Sequence, residues 1–172
     1  LAIQRETHEE DGITLIDEIE TGLEPYRVRN LISYIKGDGK SKNRDGQAIL
    51  TTHSPTAAVE LEASDICVLR NRGGKVSIHN VPSNLQAIVR AEPEALFAHK
   101  VIVCEGKTEL GLLRRFDRQR QKSGRDGFAY LGVVPVHGGG TSQAAGRSRD
   151  LRKLGYEVLY FADADVTPSP SI

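Results

Sequence analysis

From Lys100 onward, short apolar runs alternate with polar segments long enough for helices, and every run stops on residues that carry chemistry. Val101-Ile102-Val103-Cys104 stops at Glu105-Gly106, Val133-Val134-Pro135-Val136 at His137 and three glycines, and Val158-Leu159-Tyr160-Phe161-Ala162 at Asp163-Ala164-Asp165. Helices are expected between the runs, from about Thr108 to Gln121 and from about Ser142 to Leu154. Short, nearly continuous apolar runs read as strands buried on both faces, the mark of a parallel sheet. Strand, helix, strand, helix, strand joined by right-handed crossovers gives such a sheet with helices on its faces. Its ligands gather at the carboxyl ends of the strands, so those ends are the residues to read.

The first part of the chain has the same habit. Ile13-Thr14-Leu15-Ile16 stops at Asp17-Glu18, and Ala48-Ile49-Leu50-Thr51-Thr52 stops at His53-Ser54-Pro55. Leu1 to His8 reads as the tail of a helix. Another helix is expected from Pro25, with Val28, Leu31, Ile32 and Ile35 on one face. Gly37 to Gly46 is polar and glycine-rich and reads as a surface loop. Ile66–Leu69 and Val76–Ile78, split by Asn71-Arg72-Gly73-Gly74, read as a β-hairpin. Pro82 to Pro93 reads as a short connecting helix and as the boundary between two domains. The expected division is therefore residues 1–82, a connector at 83–98, and residues 99–172.

Composition bounds these readings. The 172 residues are 38% hydrophobic, enough for one ordinary core or two small ones and too much for a disordered tail or a collagen-like repeat. No apolar run approaches the roughly 20 residues that span a bilayer, so no membrane partner is expected. Cys67 and Cys104 make no disulfide framework and have no partners at metal-ligand spacing, which points to the reducing cytoplasm. The 23 basic and 23 acidic side chains cancel, yet residues 1–99 carry a balance of −4 and residues 100–172 of +4. The chain has no methionine, even at position 1, so a piece of a longer protein is expected.

An apolar strand that delivers Asp17-Glu18 at its end has the Walker B arrangement. The aspartate holds the magnesium shell, and the glutamate orients or deprotonates the attacking water. His53, at the end of a second strand, stands where a neutral imidazole can contact a γ-phosphate. Leu-Ile-Asp-Glu-Ile-Glu-Thr-Gly-Leu-Glu-Pro and Ile-Leu-Thr-Thr-His-Ser-Pro together resemble an ABC-type ATPase of the SMC and DNA-repair group, over residues 1–80. The resemblance implies ATP with Mg²⁺ at Asp17, Glu18 and His53, and a D-loop near Thr21–Glu24 through which the ATPase lobes form a homodimer. The sequence has no G-x-x-x-x-G-K-[ST] phosphate loop, and Gly37-Asp38-Gly39-Lys40-Ser41 lacks its spacing and follows the acidic strand. Without those phosphate-cradling amides and lysine, this piece is expected to bind ATP poorly or not at all.

Glu105 and the Asp163-Ala164-Asp165 segment close strands that can be neighbours, and Glu109 lies one helical turn beyond Glu105. Clustered carboxylates repel unless a cation sits among them, and oxygen-rich sites favour Mg²⁺ or Mn²⁺. This pattern resembles the Toprim domain of topoisomerases, primases and certain nucleases. An SMC-like ATPase tail followed directly by a Toprim domain resembles the OLD (overcoming lysogenisation defect) family of ATP-dependent nucleases. The resemblance implies an α/β chain: the C-terminal part of an ABC-type ATPase lobe, then a partial Toprim domain with a Rossmann-like parallel sheet. It makes Glu105, Glu109, Asp163 and Asp165 metal ligands, with Glu105 also an acid/base, and it implies cutting or nicking of DNA. Arg114, Arg115 and Arg118 on the first helix, with Arg147 and Arg149 on the second, would meet backbone phosphates. Alternatives are a repair ATPase whose Toprim-like region only binds DNA or dimerises, a primase or topoisomerase, and an inactive remnant. Phage defence is suggested by family membership alone.

Overall fold

The computed structural model describes residues 12–37 and 46–163. The helix tail expected at 1–8, most of the loop expected over 37–46, and Asp165 lie outside the described residues. By its contacts the chain forms two compact units, Leu1–Leu61 and Glu62–Ile172.

In the first unit, β1 (Gly12–Ile16) and β2 (Gly46–Leu50) run parallel, with Ile16 opposite Leu50. Helix α1 (Pro25–Lys36) starts on proline, whose missing N–H costs nothing in a first turn, and ends on Gly37 at φ 72°. Its Val28 and Ile32 are buried at the expected helical spacing. They join Ile16, Ile19 and Ala57, the last from the short helix α2 (Pro55–Val59). The second strand ends two residues earlier than the apolar run suggested. Thr51 and Thr52 leave the ladder and turn their hydroxyls to acidic side chains that follow β1.

The second unit opens with a 3₁₀ turn (Ala63–Asp65) and the antiparallel hairpin β3 (Cys67–Arg72) and β4 (Lys75–Asn80), with Leu69 opposite Ile78. The expected connecting helix is α3 (Gln86–Ala91), flanked by 3₁₀ turns at Ser83–Leu85 and Pro93–Phe97. It is no linker: Leu85, Ile88, Val89, Ala95 and Leu96 are all buried. A six-residue helix has no stability of its own, so packing holds it. The hairpin belongs with it, because the Arg70 guanidinium lies 3.9 Å over the Tyr156 ring, a cation–π contact. By contacts the hairpin and the connecting helix both fall in the second unit, which begins at Glu62.

Strand β5 (Lys100–Cys104) is the centre of a parallel sheet in the order β6-β5-β7, with β6 at Val133–His137 and β7 at Glu157–Phe161. Helix α4 (Lys107–Lys122) links β5 to β6, and α5 (Thr141–Lys153) links β6 to β7. The first crossover steps outward and the second steps back past β5, so right-handed connections put the helices on opposite faces. Burial agrees. Ile102 and Cys104 pack with Leu110 and Leu113 of α4, while Val101 and Val103, alternating to the other side, are also fully buried. Pro135 is tolerated because β6 pairs with β5 alone among the described strands. No helix among the described residues is long and apolar enough to cross a membrane.

Candidate functional site

The C-terminal end of β5 is where the second unit concentrates its polar chemistry. Glu105 leaves the sheet there, and its backbone N–H donates to the Phe161 carbonyl at 2.8 Å. That bond fastens Glu105 against the end of β7, two residues before Asp163. On the other side, the Gly138 N–H donates to the Cys104 carbonyl (2.6 Å) and the Gly140 N–H to the Glu105 carbonyl (2.9 Å). The glycine loop thereby brings the start of α5 to Glu105. The Thr141 hydroxyl donates to Glu105 Oε1, whereas Oε2 is buried and has no hydrogen-bond partner.

The glycines are explained by one close approach and two positive φ angles. A methyl on Gly138 would stand 2.5 Å from the Cys104 carbonyl and from Ala144 Cβ, and Gly139 adopts φ 87°. Gly140 adopts φ 87°, ψ 169°, a region essentially closed to other residues.

Glu109, also expected as a ligand, commits one of its oxygens to the chain. It is buried, and its Oε2 accepts the Gly106 N–H at 2.7 Å, closing the first turn of α4. Burial, and then the charge of Glu109, push the Cys104 thiol up to about 12, with Arg114 opposing. The phenol of Tyr160 on β7 is pushed up by burial and then by Glu105 and Glu109 together, so both carboxylates act on one neighbourhood. Glu92, after α3, is raised by its burial, against the pull of His137 and Arg114. Asp163 is exposed. Among the described residues, no three His, Cys, Asp or Glu side chains are grouped so as to hold a metal ion. The donor set among the described residues is instead one half-satisfied glutamate beside the strand end that leads to Asp163. An orphaned carboxylate oxygen fits a hard divalent cation, which prefers oxygen donors.

The arginines separate into two kinds. Arg114, Arg115, Arg118 and Arg149 are exposed. Arg147, expected with them, is buried; it donates to the His137 carbonyl at 3.3 Å and to Gln143 Oε1 at 2.7 Å. It braces the glycine loop, a role that no helical-face pattern reveals.

In the first unit, Asp17 and Glu18 follow β1 and His53 follows β2, and the two ends are tied together. The Thr51 hydroxyl donates to Asp17 Oδ1 (2.5 Å) and accepts the Glu18 N–H (2.8 Å). Glu18 sits at φ 46°, a left-handed conformation costing a non-glycine residue about 1–2 kcal/mol. Glu20, absent from the expected site, accepts the Thr52 hydroxyl and the His53 N–H, both at 2.6 Å. Partial burial opposes ionisation of Glu20, but these two hydrogen bonds, its own backbone N–H and the charge of His53 together outweigh it and lower its pKa.

A parallel sheet with acidic strand ends, preceded in the chain by a strand pair bearing Asp17, Glu18 and His53, is the make-up of an ATPase region joined to a Toprim domain. Residues 96–165 match the family model of the overcoming lysogenization defect protein-like TOPRIM domain. Residues 1–60 match an AAA domain family whose description names the AbiEii toxin of a Type IV TA system. In that order the two matches are the ATPase–Toprim arrangement of the OLD family, a nuclease-type ATPase family. No curated protein matches the chain.

Proposed function

We propose that this chain is part of an ATP-dependent, divalent-metal-dependent DNA endonuclease of the OLD type. The observation that carries the reading is Glu105 Oε2, a buried carboxylate oxygen without a partner at the C-terminal end of the central parallel strand. Leaving such an atom unpaired costs about 1–3 kcal/mol or more, and a cation removes the cost. Glu105, Asp163 and Asp165 would hold Mg²⁺ or Mn²⁺, with Glu109 nearby to raise the negative potential. When bound, the ion supplies Lewis-acid polarisation of a phosphodiester and a more acidic water. The exposed Arg114, Arg115, Arg118 and Arg149 neutralise backbone phosphates, which contributes affinity without sequence choice. In the ATPase region, Asp17 would hold the magnesium that accompanies ATP, Glu18 would accept a proton from the attacking water, and His53 would contact the γ-phosphate. The Thr21–Glu24 segment would meet a second copy.

Nicking of supercoiled plasmid in Mn²⁺ tests this. Glu105→Ala and Asp163→Ala should each abolish nicking while far-UV circular dichroism stays unchanged. Retained nicking in both variants would remove the metal assignment. The commitment of Glu109 to the α4 cap favours one other reading, in which the Toprim region binds DNA or dimerises without cutting. DNA binding by the wild-type protein with no nicking in either metal would select it.

A further inference from the structure

We infer that Thr141 is the positioning residue for Glu105: its hydroxyl occupies Oε1 and so leaves Oε2 as the single oxygen that Glu105 offers to a divalent ion. This rests on the proposed metal site and goes one step past it. Three features of the local chain lead to it. First, Glu105 is fixed at its backbone from both sides, by its N–H to Phe161 and by its carbonyl from Gly140, so its side chain starts from a defined origin. Second, Thr141 is the first residue of α5, and the cap position before it is held by Gly140, which has no side chain to cap with. A hydroxyl at the cap position would normally turn back to its own helix. One residue later, that of Thr141 is free to serve a neighbour, and it serves Glu105. Third, the two carboxylate oxygens are treated unequally: Oε1 is paired and Oε2 is buried and unpaired. The start of a helix also favours the negative charge that the hydroxyl holds in place. A carboxylate held in this way has its two oxygens in unequal roles, and Oε2 is the one it would offer to an ion. Partners that orient a ligand in this way typically change metal affinity about 10–100-fold when removed.

The test is Mn²⁺ affinity, read by the electron paramagnetic resonance of free Mn²⁺ in titrations of the full chain, without any turnover. Thr141→Val keeps the shape and loses the hydroxyl, Thr141→Ser keeps the hydroxyl, and Glu105→Gln removes the ligand. The expected order is binding abolished in Glu105→Gln, weakened about tenfold or more in Thr141→Val, and restored to within about threefold of wild type in Thr141→Ser. Wild-type affinity in Thr141→Val, with Glu105→Gln abolished, would overturn the inference and leave the metal site standing. Equal weakening in Thr141→Val and Thr141→Ser would also overturn it, since the hydroxyl would not be the cause. Wild-type affinity in Glu105→Gln would overturn the metal site itself, and the role of Thr141 with it.

Discussion

Gly138 donates its N–H to the carbonyl of Cys104 at 2.6 Å, so the glycine loop after β6 is sewn to the end of the central strand that carries Glu105. The approach is possible only without a side chain. An added methyl would lie 2.5 Å from that carbonyl oxygen and from Ala144 Cβ, neither of which is the free end of a flexible group.

Gly138→Ala should therefore lower unfolding free energy by about 1–3 kcal/mol, the usual cost of overpacking. It should also weaken Mn²⁺ binding, because the shift falls between Glu105 and Thr141. Urea denaturation followed by the Mn²⁺ titration checks both. Unchanged stability would show that the loop yields without strain.

Much of this arrangement was open to sequence reasoning, and the rest was hidden for physical reasons. The strand at Lys100–Cys104 is legible because burial on both faces forces an unbroken apolar run, and its neighbours at Val133–His137 and Glu157–Phe161 are legible as apolar runs although Leu159 is exposed. Helix α1 is legible from the spacing of Val28 and Ile32. Hydrogen bonds across a crossover leave no such trace. Thr141 and Glu105 are 36 positions apart, and Glu20 meets His53 across 33, with no period to announce either pair. Arg147 misled for a related reason: a polar residue on a charged helix reads as solvated until the loop beneath it is known. Pro82 and Pro93 make the segment between them look like a linker, whereas Leu85, Ile88 and Val89 within it are buried.

The double demand on Glu109 can be separated by substitution. Its carboxylate caps Gly106 at 2.7 Å, and a glutamine can accept the same hydrogen bond without the charge. Glu109→Ala should cost about 0.5–2 kcal/mol of stability through the lost cap. Glu109→Gln should keep most of that stability. If Glu109 also contributes to holding the cation, Glu109→Gln should still weaken Mn²⁺ binding. Parallel thermal melts and Mn²⁺ titrations distinguish the roles, and wild-type affinity in Glu109→Gln would leave it a cap alone.

Arg147 and Arg149 are two positions apart on α5 and should behave in opposite ways. Arg147 is buried with two hydrogen bonds to hold, so Arg147→Ala should destabilise the fold by about 1–3 kcal/mol. Arg149 is exposed, and Arg149→Ala should change stability by less than about 0.5 kcal/mol. If Arg149 meets a backbone phosphate, its loss should weaken DNA binding for all sequences alike. It should also reduce the slope of log K against log salt by about one. Fluorescence anisotropy across a salt series, with denaturation of both variants, reads the contrast. An unchanged salt slope in Arg149→Ala would remove it from the DNA-binding surface.

Glu20 gives the first unit a signature in acid. Burial raises its pKa, but the hydrogen bonds from Thr52, the His53 N–H and its own N–H, with the charge of His53, together lower it by more, so the net shift is downward from the ordinary 4.5. A carboxyl whose folded value lies below its unfolded value binds fewer protons when folded. Its stabilisation is present above the ordinary value and is lost as pH falls through the lowered one. Wild-type protein should therefore lose stability on acidification below about pH 4.5 in part through Glu20. Glu20→Gln, which cannot ionise, should lose less over the same interval while being less stable at neutral pH. Urea midpoints measured from pH 7 down to pH 3 read the difference. Parallel curves for the two proteins would mean that the Thr52 and His53 bonds do not favour the charged form.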